Sequence, residues 1–248
     1  MQIQQRIEKF WNNDASRYSQ SIQKEIASFK KDAWTRLIDE RQPAGKTLKA
    51  RDMGTGPGFF AIILASLGHQ VTAIDCSEQM LAEAGQNLQA AGFTAVFQKM
   101  DSHTLSFADQ TFDLLLCRNH TWILQDPRAA YKEWHRVLKP GGRLMIFDAN
   151  WNLHLHDPEM QKKYQEDRER AAALGISRPG HVNKEEGERI ARELYFSRRL
   201  RPRCDAVALM DCGFGKLFID RDITGRVWDE EEKILYRSPP MFMLYAEK

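Results

Sequence analysis

The chain has 248 residues, 42% hydrophobic and 28% charged, with 36 basic against 34 acidic side chains and a net charge of +2. Such a chain is long enough for one α/β domain with additions, and its weak charge gives no electrostatic case for a nucleic-acid backbone or an anionic membrane surface. The four cysteines (Cys76, Cys117, Cys204, Cys212) are dispersed without a CxxC pair, which points to reduced thiols in the cytoplasm rather than to disulfides or a zinc site.

Residues 1–45 read as helical, with apolar positions at Ile3, Ile7, Phe10 and Trp11, then at Ile22, Ile26, Phe29, Ala33 and Leu37. The opening "MQIQQRIEKFWNNDASRY" lacks the apolar centre of a signal peptide. The apolar run "FFAIILASLG" is too short to span a bilayer. Over residues 46–150, short apolar runs alternate with helical stretches: "TLKARDM", a glycine turn, "GFFAIILASLG", "HQVTAID", "SEQMLAEAGQNLQAAG", "TAVFQKMD", "FDLLLCRN", "DPRAAYKEWHRVLKPGG" and "RLMIFDA". This alternation predicts an open parallel sheet with helices on both faces. In "KPGG", Pro140 is expected to stop the helix before it. Residues 151–203 are charged and helical in pattern, broken at "GISRPG", and read as an insertion that covers substrate. Residues 204–248 return to the core with a short helix ending at Gly213 and two strands, "KLFIDRDI" and "PPMFMLYAEK", expected to pair antiparallel at a sheet edge.

The turn "DMGTGPG" follows the first strand and opens a helix. Gly54, Gly56 and Gly58 allow a tight bend and close approach of a ligand to the main chain. A P-loop would need GxxxxGK with Ser or Thr, which is absent. The dinucleotide fingerprint requires a small third residue where this chain has Phe59. Asp52, two residues before the first glycine, disfavours a pyrophosphate and suits an ammonium group. Asp75 ends the second strand, where an acid can accept from ribose hydroxyls. Asp101 ends the third, beside Ser102, where it could accept from an adenine amino group.

With "VTAIDCSEQML", "MDSHTLSFADQTFDLLLCRN" and "EWHRVLKPGGRLMIFD" in the same order and spacing, residues 47–150 resemble the class I S-adenosylmethionine (SAM)-dependent methyltransferases of the ubiquinone/menaquinone-methyltransferase-like kind. The resemblance implies a Rossmann-like, doubly wound, seven-stranded sheet, mostly parallel with an antiparallel last strand. It also implies an amino-terminal helical lid around "FWNNDASRY". Asp52, Gly54, Thr55, Gly56 and Gly58 would meet the methionine end of SAM, Asp75 and Cys76 the ribose, and Asp101 and Ser102 the adenine. Met80 is either an adenine contact or core, and Arg118 joins the cofactor set. The product would be S-adenosylhomocysteine.

The acceptor is expected at the end of the fourth strand, "CRNHTW", where Asn119 and His120 could orient or deprotonate it and Trp122 could wall it. His120 is either a base or a packing residue. Tyr18, in the lid, either closes over the ligands or packs. Asp148, Trp151 and His154 are candidate substrate contacts. The spacing of His154, His156 and Asp157 could suit a metal, but pocket lining is preferred, so no metal is expected. The run "SRRLRPR" reads as part of a salt-laced helical face, or as a site for an acidic substrate or RNA. The expected partner is a small molecule, without nucleic acid or membrane, and no feature sets an oligomeric state. A nicotinamide-dependent oxidoreductase and a SAM-binding protein without catalysis are the alternatives. Arg51 stands where that family carries an apolar residue. Either it pairs with a carboxylate at the sheet margin, or the family pattern is altered at this position.

Overall fold

The computed structural model describes residues 2–42, 47–178 and 180–248. The expected boundary between residues 45 and 46 lies outside the described residues, as does Pro179 of "GISRPG". Seven strands form one sheet: β1 (Lys49–Met53), β2 (Gln70–Asp75), β3 (Val96–Lys99), β4 (Phe112–Arg118), β5 (Leu138–Asp148), β6 (Lys216–Asp220) and β7 (Phe242–Glu247), in the order β3-β2-β1-β4-β5-β7-β6. Strand β7 is antiparallel to both neighbours, and the other six run one way. The α/β fold and the reversed last strand agree with the expectation. The two last strands pair antiparallel at the sheet edge as expected, with β7 beside β5 and β6 outermost.

The helices are α1 (Ile3–Ile26), α2 (Phe29–Asp39), α3 (Phe59–Ser66), α4 (Glu78–Ala90), α5 (Pro127–Val137), α6 (Pro158–Ala173), α7 (Lys184–Glu193), α8 (Arg203–Asp211), α9 (Thr224–Val227) and α10 (Glu230–Leu235). Strands β1 and β4 are buried on both faces, which is why "LLLC" reads as a continuous apolar run. On one face Trp34, Phe60 and Phe147 meet edge to face at 5.0–5.5 Å. On the other, Trp134 and Tyr131 of α5 pack over Leu115 and Cys117.

Asp126 caps α5 by accepting from the backbone N–H groups of Arg128 and Ala129, with Pro127 in the first turn. Pro140 does not stop this helix, which ends at Val137. Strand β5 begins at once, and its register with β4 jumps from Phe112↔Leu138 to Leu114↔Arg143. "KPGG" is therefore a bulge inside the strand, where a missing N–H costs little.

Residues 151–203 contain α6 and α7 and are pinned at several points. Asp167 on α6 accepts from Arg237 Nε at 2.8 Å and from Ser238 N at 2.7 Å. Arg6 on α1 bridges Glu186 and Glu193 on α7 at 2.7 and 2.6 Å. A Cβ on Gly187 would lie 3.0 Å from the Phe10 ring, so α1 and α7 touch closely. The pairs Arg189–Glu185 and Arg192–Glu188 lie on the exposed face and contribute little. The arginine run does not behave as one surface: Arg201 is buried, whereas Arg199 lies over the Tyr195 ring at 3.7 Å. Among the described residues no helix is long and apolar enough to cross a membrane.

Arg51 is fully buried and meets no carboxylate among the described residues. Its guanidinium lies 3.9 Å from the Phe107 ring centroid and 5.2 Å from that of Phe112, and Nη2 donates to Met100 Sδ at 3.2 Å. Nε and Nη1 have no hydrogen-bond partner. Burial pushes the group down to about 9, so it still carries its charge at neutral pH. Of the two alternatives, pairing with a carboxylate is not what the structure shows: two aromatic faces meet the charge instead, worth about 2 kcal/mol when desolvated, against a burial cost of several kcal/mol. Arg51→Leu should raise stability by about 1–3 kcal/mol, read as a higher Tm. A lower Tm would show that the aromatic contacts outweigh the buried charge.

Candidate active site

A cleft with about 680 Å³ of empty space opens at the carboxyl ends of β1, β2 and β4, beneath α1. That space includes the cleft's open mouth, and the place is where open α/β sheets bind ligands. Its floor is the glycine turn. Gly54, Gly56 and Gly58 all have left-handed φ, at +64°, +52° and +92°. A Cβ on Gly54 would sit 2.0 Å from His120 Nδ1, so only glycine admits that ring. A Cβ on Gly56 would face Tyr18 across 3.5 Å. Gly58 does different work: its Cα faces Leu88 and Ala84, which brings α3 onto α4, and it is absent from the cleft wall.

Asp52 is buried on the wall, and its Oδ2 accepts from Thr55 Oγ1 at 2.6 Å. Desolvation pushes this carboxyl up to about 7. Asp75 accepts from Gly56 N on one oxygen and Ser77 N on the other, both at 2.9 Å. Desolvation raises it too, against those bonds. Arg118 is held by Glu25 of α1 at 2.6 Å and lies 4.2 Å from the Phe59 ring centroid. Asn119 has a left-handed φ of +53°, which asparagine tolerates. Its backbone N donates to Phe147 O, its carbonyl accepts from Trp122 Nε1, and its side-chain Oδ1 has no partner. His120 Nε2 shares a hydrogen bond of 2.8 Å with Ser102 Oγ, and burial lowers its basicity to about 4.

The roof is one face of α1. Ile7, Trp11, Tyr18 and Ile22 fall at i, i+4, i+11 and i+15, and all four line the cleft. Tyr18 and Arg118 were expected at the site; Trp11, Phe59, Phe60, Pro57 and Ile123 were not singled out. The period of α1 was the available signal for Trp11. Phe59 and Phe60 read as core, and nothing in the pattern said that one edge of them would face a ligand.

Thus Tyr18, Asp52, Gly54, Thr55, Gly56, Asp75, Cys76, Met80, Arg118, Asn119 and His120 converge on the cleft. Asp101, Ser102, Trp122, Asp148, Trp151 and His154 are not on its wall. Asp101 is tied to His103 N and Nδ1 at 2.9 and 2.6 Å. Ser102 reaches the site only through His120. His154 stacks on Tyr164 at 4.0 Å, and Trp151 packs against Trp228 and Tyr236. Among the described residues no three His, Cys, Asp or Glu side chains come together as metal ligands.

Asp148 has no exposed surface, so it cannot touch a substrate as expected. It accepts from Thr121 Oγ1, Trp122 N and Trp151 Nε1 at 2.6, 2.9 and 2.9 Å, and pairs with Arg201 Nη1 at 2.9 Å. Arg201 also bridges to Asp205 at 2.7 Å. This buried cluster ties the end of the 151–203 segment to the chain just after Asn119 and His120. Asp148→Ala should cost about 3–5 kcal/mol because it leaves the buried Arg201 with one carboxylate instead of two and strips the acceptor from three donors. Chemical denaturation checks this, and an unchanged midpoint would remove the role.

Residues 51–146 match a family model described as a methyltransferase domain. Over 124 residues the chain is 36% identical to the ubiquinone/menaquinone biosynthesis C-methyltransferase of Roseobacter denitrificans, covering 49% of this chain and 48% of that protein. It is 34% identical over 120 residues to the malonyl-[acyl-carrier protein] O-methyltransferase of Erwinia pyrifoliae, covering 48% and 44%. The chain thus spans about half the length of these curated relatives. A Methanococcus maripaludis crystal structure, assigned as a SAM-dependent methyltransferase, shares the fold at a TM-score of 0.62 with 22% identity, over 96% of this chain and 94% of the other. Residues 51–146 therefore match a methyltransferase domain, and the chain shares its α/β fold with the Methanococcus maripaludis protein.

Proposed function

We propose that the protein transfers a methyl group from SAM to a small molecule in the cytoplasm. The observation that carries this reading is the buried Asp52 carboxyl beside a turn of left-handed glycines, with Asp75 one strand away and α1 above. The residues fit the group. The amino-acid end brings an ammonium that Asp52 would hold and a carboxylate that Arg118 would meet. Backbone at Gly54 and Gly56 leaves room that a Cβ would fill. Asp75 would accept from the ribose hydroxyls, with Cys76 and Met80 beside it. Asp101 and Ser102 lie off the wall, which leaves an adenine ring to the apolar side chains of Met80 and Ile123. When bound, SAM supplies a methyl group activated by the sulfonium.

The chain's own contribution is alignment and exclusion of water. Ile7, Trp11, Tyr18 and Ile22 cover the cleft, so reacting groups meet in a dry space. His120 is neutral at pH 7 and bonded to Ser102, which makes it a positioning residue beside Gly54 rather than a strong base. The curated relatives named above methylate carbon in one case and oxygen in the other. The acceptor atom is therefore not inherited from them. A nicotinamide ligand is disfavoured by Phe59 at the third fingerprint position and by Asp52 next to a pyrophosphate.

Titration calorimetry with S-adenosylhomocysteine tests the reading. A carboxyl raised to about 7 is neutral below that pH and must lose its proton to pair with an ammonium. Affinity should therefore weaken on acidification, approaching about tenfold per pH unit below pH 7. Asp52→Asn should bind more weakly and flatten this dependence. Binding of NAD in place of S-adenosylhomocysteine would overturn the proposal.

A further inference from the structure

Asn119 Oδ1 is a buried acceptor on the cleft wall with no donor. The Asn119 side chain lies close enough to the Tyr18 hydroxyl to act on it, and both line the same cleft. A buried carbonyl without a donor costs about 1–3 kcal/mol, so such an atom on a ligand wall is one that a ligand completes.

We propose that the methyl acceptor is an uncharged nitrogen bearing an N–H, and that Asn119 Oδ1 accepts its hydrogen bond. This rests on the methyl-transfer reading and narrows it to a substrate class.

The inventory of bases makes the case. The carboxylates on or beside the cleft wall are committed, and His120, whose Nδ1 faces Gly54, is a weak base because burial pushes it down to about 4. Asp52 is bonded to Thr55 and stands where an ammonium is required. Asp75 takes two backbone N–H groups, Glu25 is paired with Arg118, and His120 Nε2 is taken by Ser102. Burial keeps the Tyr18 hydroxyl and the Cys76 thiol protonated. A hydroxyl or a carbon acid would have to surrender a proton during attack, and no strong base is free there to take it. A thiolate needs no base but has no hydrogen to give Oδ1. An uncharged amine satisfies both conditions. The dry, roofed cleft also favours its neutral form, because desolvation lowers the basicity of an amine. Attack by the nitrogen lone pair forms the N–C bond as the C–S bond breaks, with that electron pair staying on sulfur. The product nitrogen holds its proton until release to water, so no side chain need accept it.

Two measurements test this. The first supplies SAM carrying a carbon-13 methyl group to the protein with a bacterial metabolite extract, and reads the methyl chemical shift of the product. An N-methyl signal is expected. An O-, S- or C-methyl signal overturns the inference while leaving methyl transfer intact. Binding of S-adenosylhomocysteine without any labelled product overturns the inference too, in favour of a SAM-binding protein without catalysis. Failure to bind S-adenosylhomocysteine sinks the methyl-transfer reading itself. The second uses Asn119→Gly, which suits the left-handed backbone. It should bind S-adenosylhomocysteine within about twofold of the parent and lose about tenfold or more in kcat/KM on the N-methylated acceptor. Asn119→Asp keeps the oxygen and should retain most of it. A tenfold loss of S-adenosylhomocysteine affinity in Asn119→Gly would mean that Oδ1 serves the cofactor, and would overturn the inference.

Discussion

The buried carboxyl of Asp52 is the constraint around which the site is built. Removing a carboxylate from water without a cation raises its proton affinity, and Asp52 sits near neutrality for that reason. The neighbouring features lower that cost without cancelling it. Thr55 donates to one oxygen, and the Arg118 charge acts on it through space. What is left over is a demand for a cation from outside. A sheet can present such a group only at its carboxyl edge, where strands end and helices have not yet closed over them. The left-handed glycines follow from the same demand, because the main chain must turn away sharply to leave that carboxyl accessible.

The roof is a second consequence. A cleft that wants a dry interior needs a lid with an apolar face, and α1 supplies one along its whole length. The lid is not free. Arg6 and Phe10 fasten α1 to α7, while Asp14 accepts from Val182 N at 2.9 Å. Helix α6 is in turn fastened near the carboxyl-terminal strand by Asp167. The 151–203 segment therefore braces α1 from behind. Beneath it, the Arg201 cluster holds the turn that carries Asn119 and His120, so loop geometry at the cleft depends on residues that never face it.

Arg51 shows how local pattern and tertiary solution diverge. Its neighbours Lys49 and Met53 share its strand face, which is exposed at Lys49 and buried at Arg51 and Met53. The chain answers the charge with the rings of Phe107 and Phe112 rather than with a carboxylate. A guanidinium is weakly hydrated and flat, which makes stacking a workable though incomplete substitute.

Much of this was legible in the residues. Strand–helix alternation over 46–150, the spacing of "DMGTGPG" and the acids ending successive strands depend on short-range chemistry: periods of 2 and 3.6, left-handed glycines, and a carboxylate's preference for cations. They placed the fold, the cleft and most of its floor. What needed the tertiary structure were relations between residues far apart in the chain. The insertion of β7 between β5 and β6, the burial of Asp148 under Arg201, the withdrawal of Asp101 to His103 and the commitment of His120 to Ser102 each depend on a partner that no local pattern names. A side chain's type says what it can bond. Only packing decides which bond it has already made, and so which atom, here Asn119 Oδ1, is left without a partner.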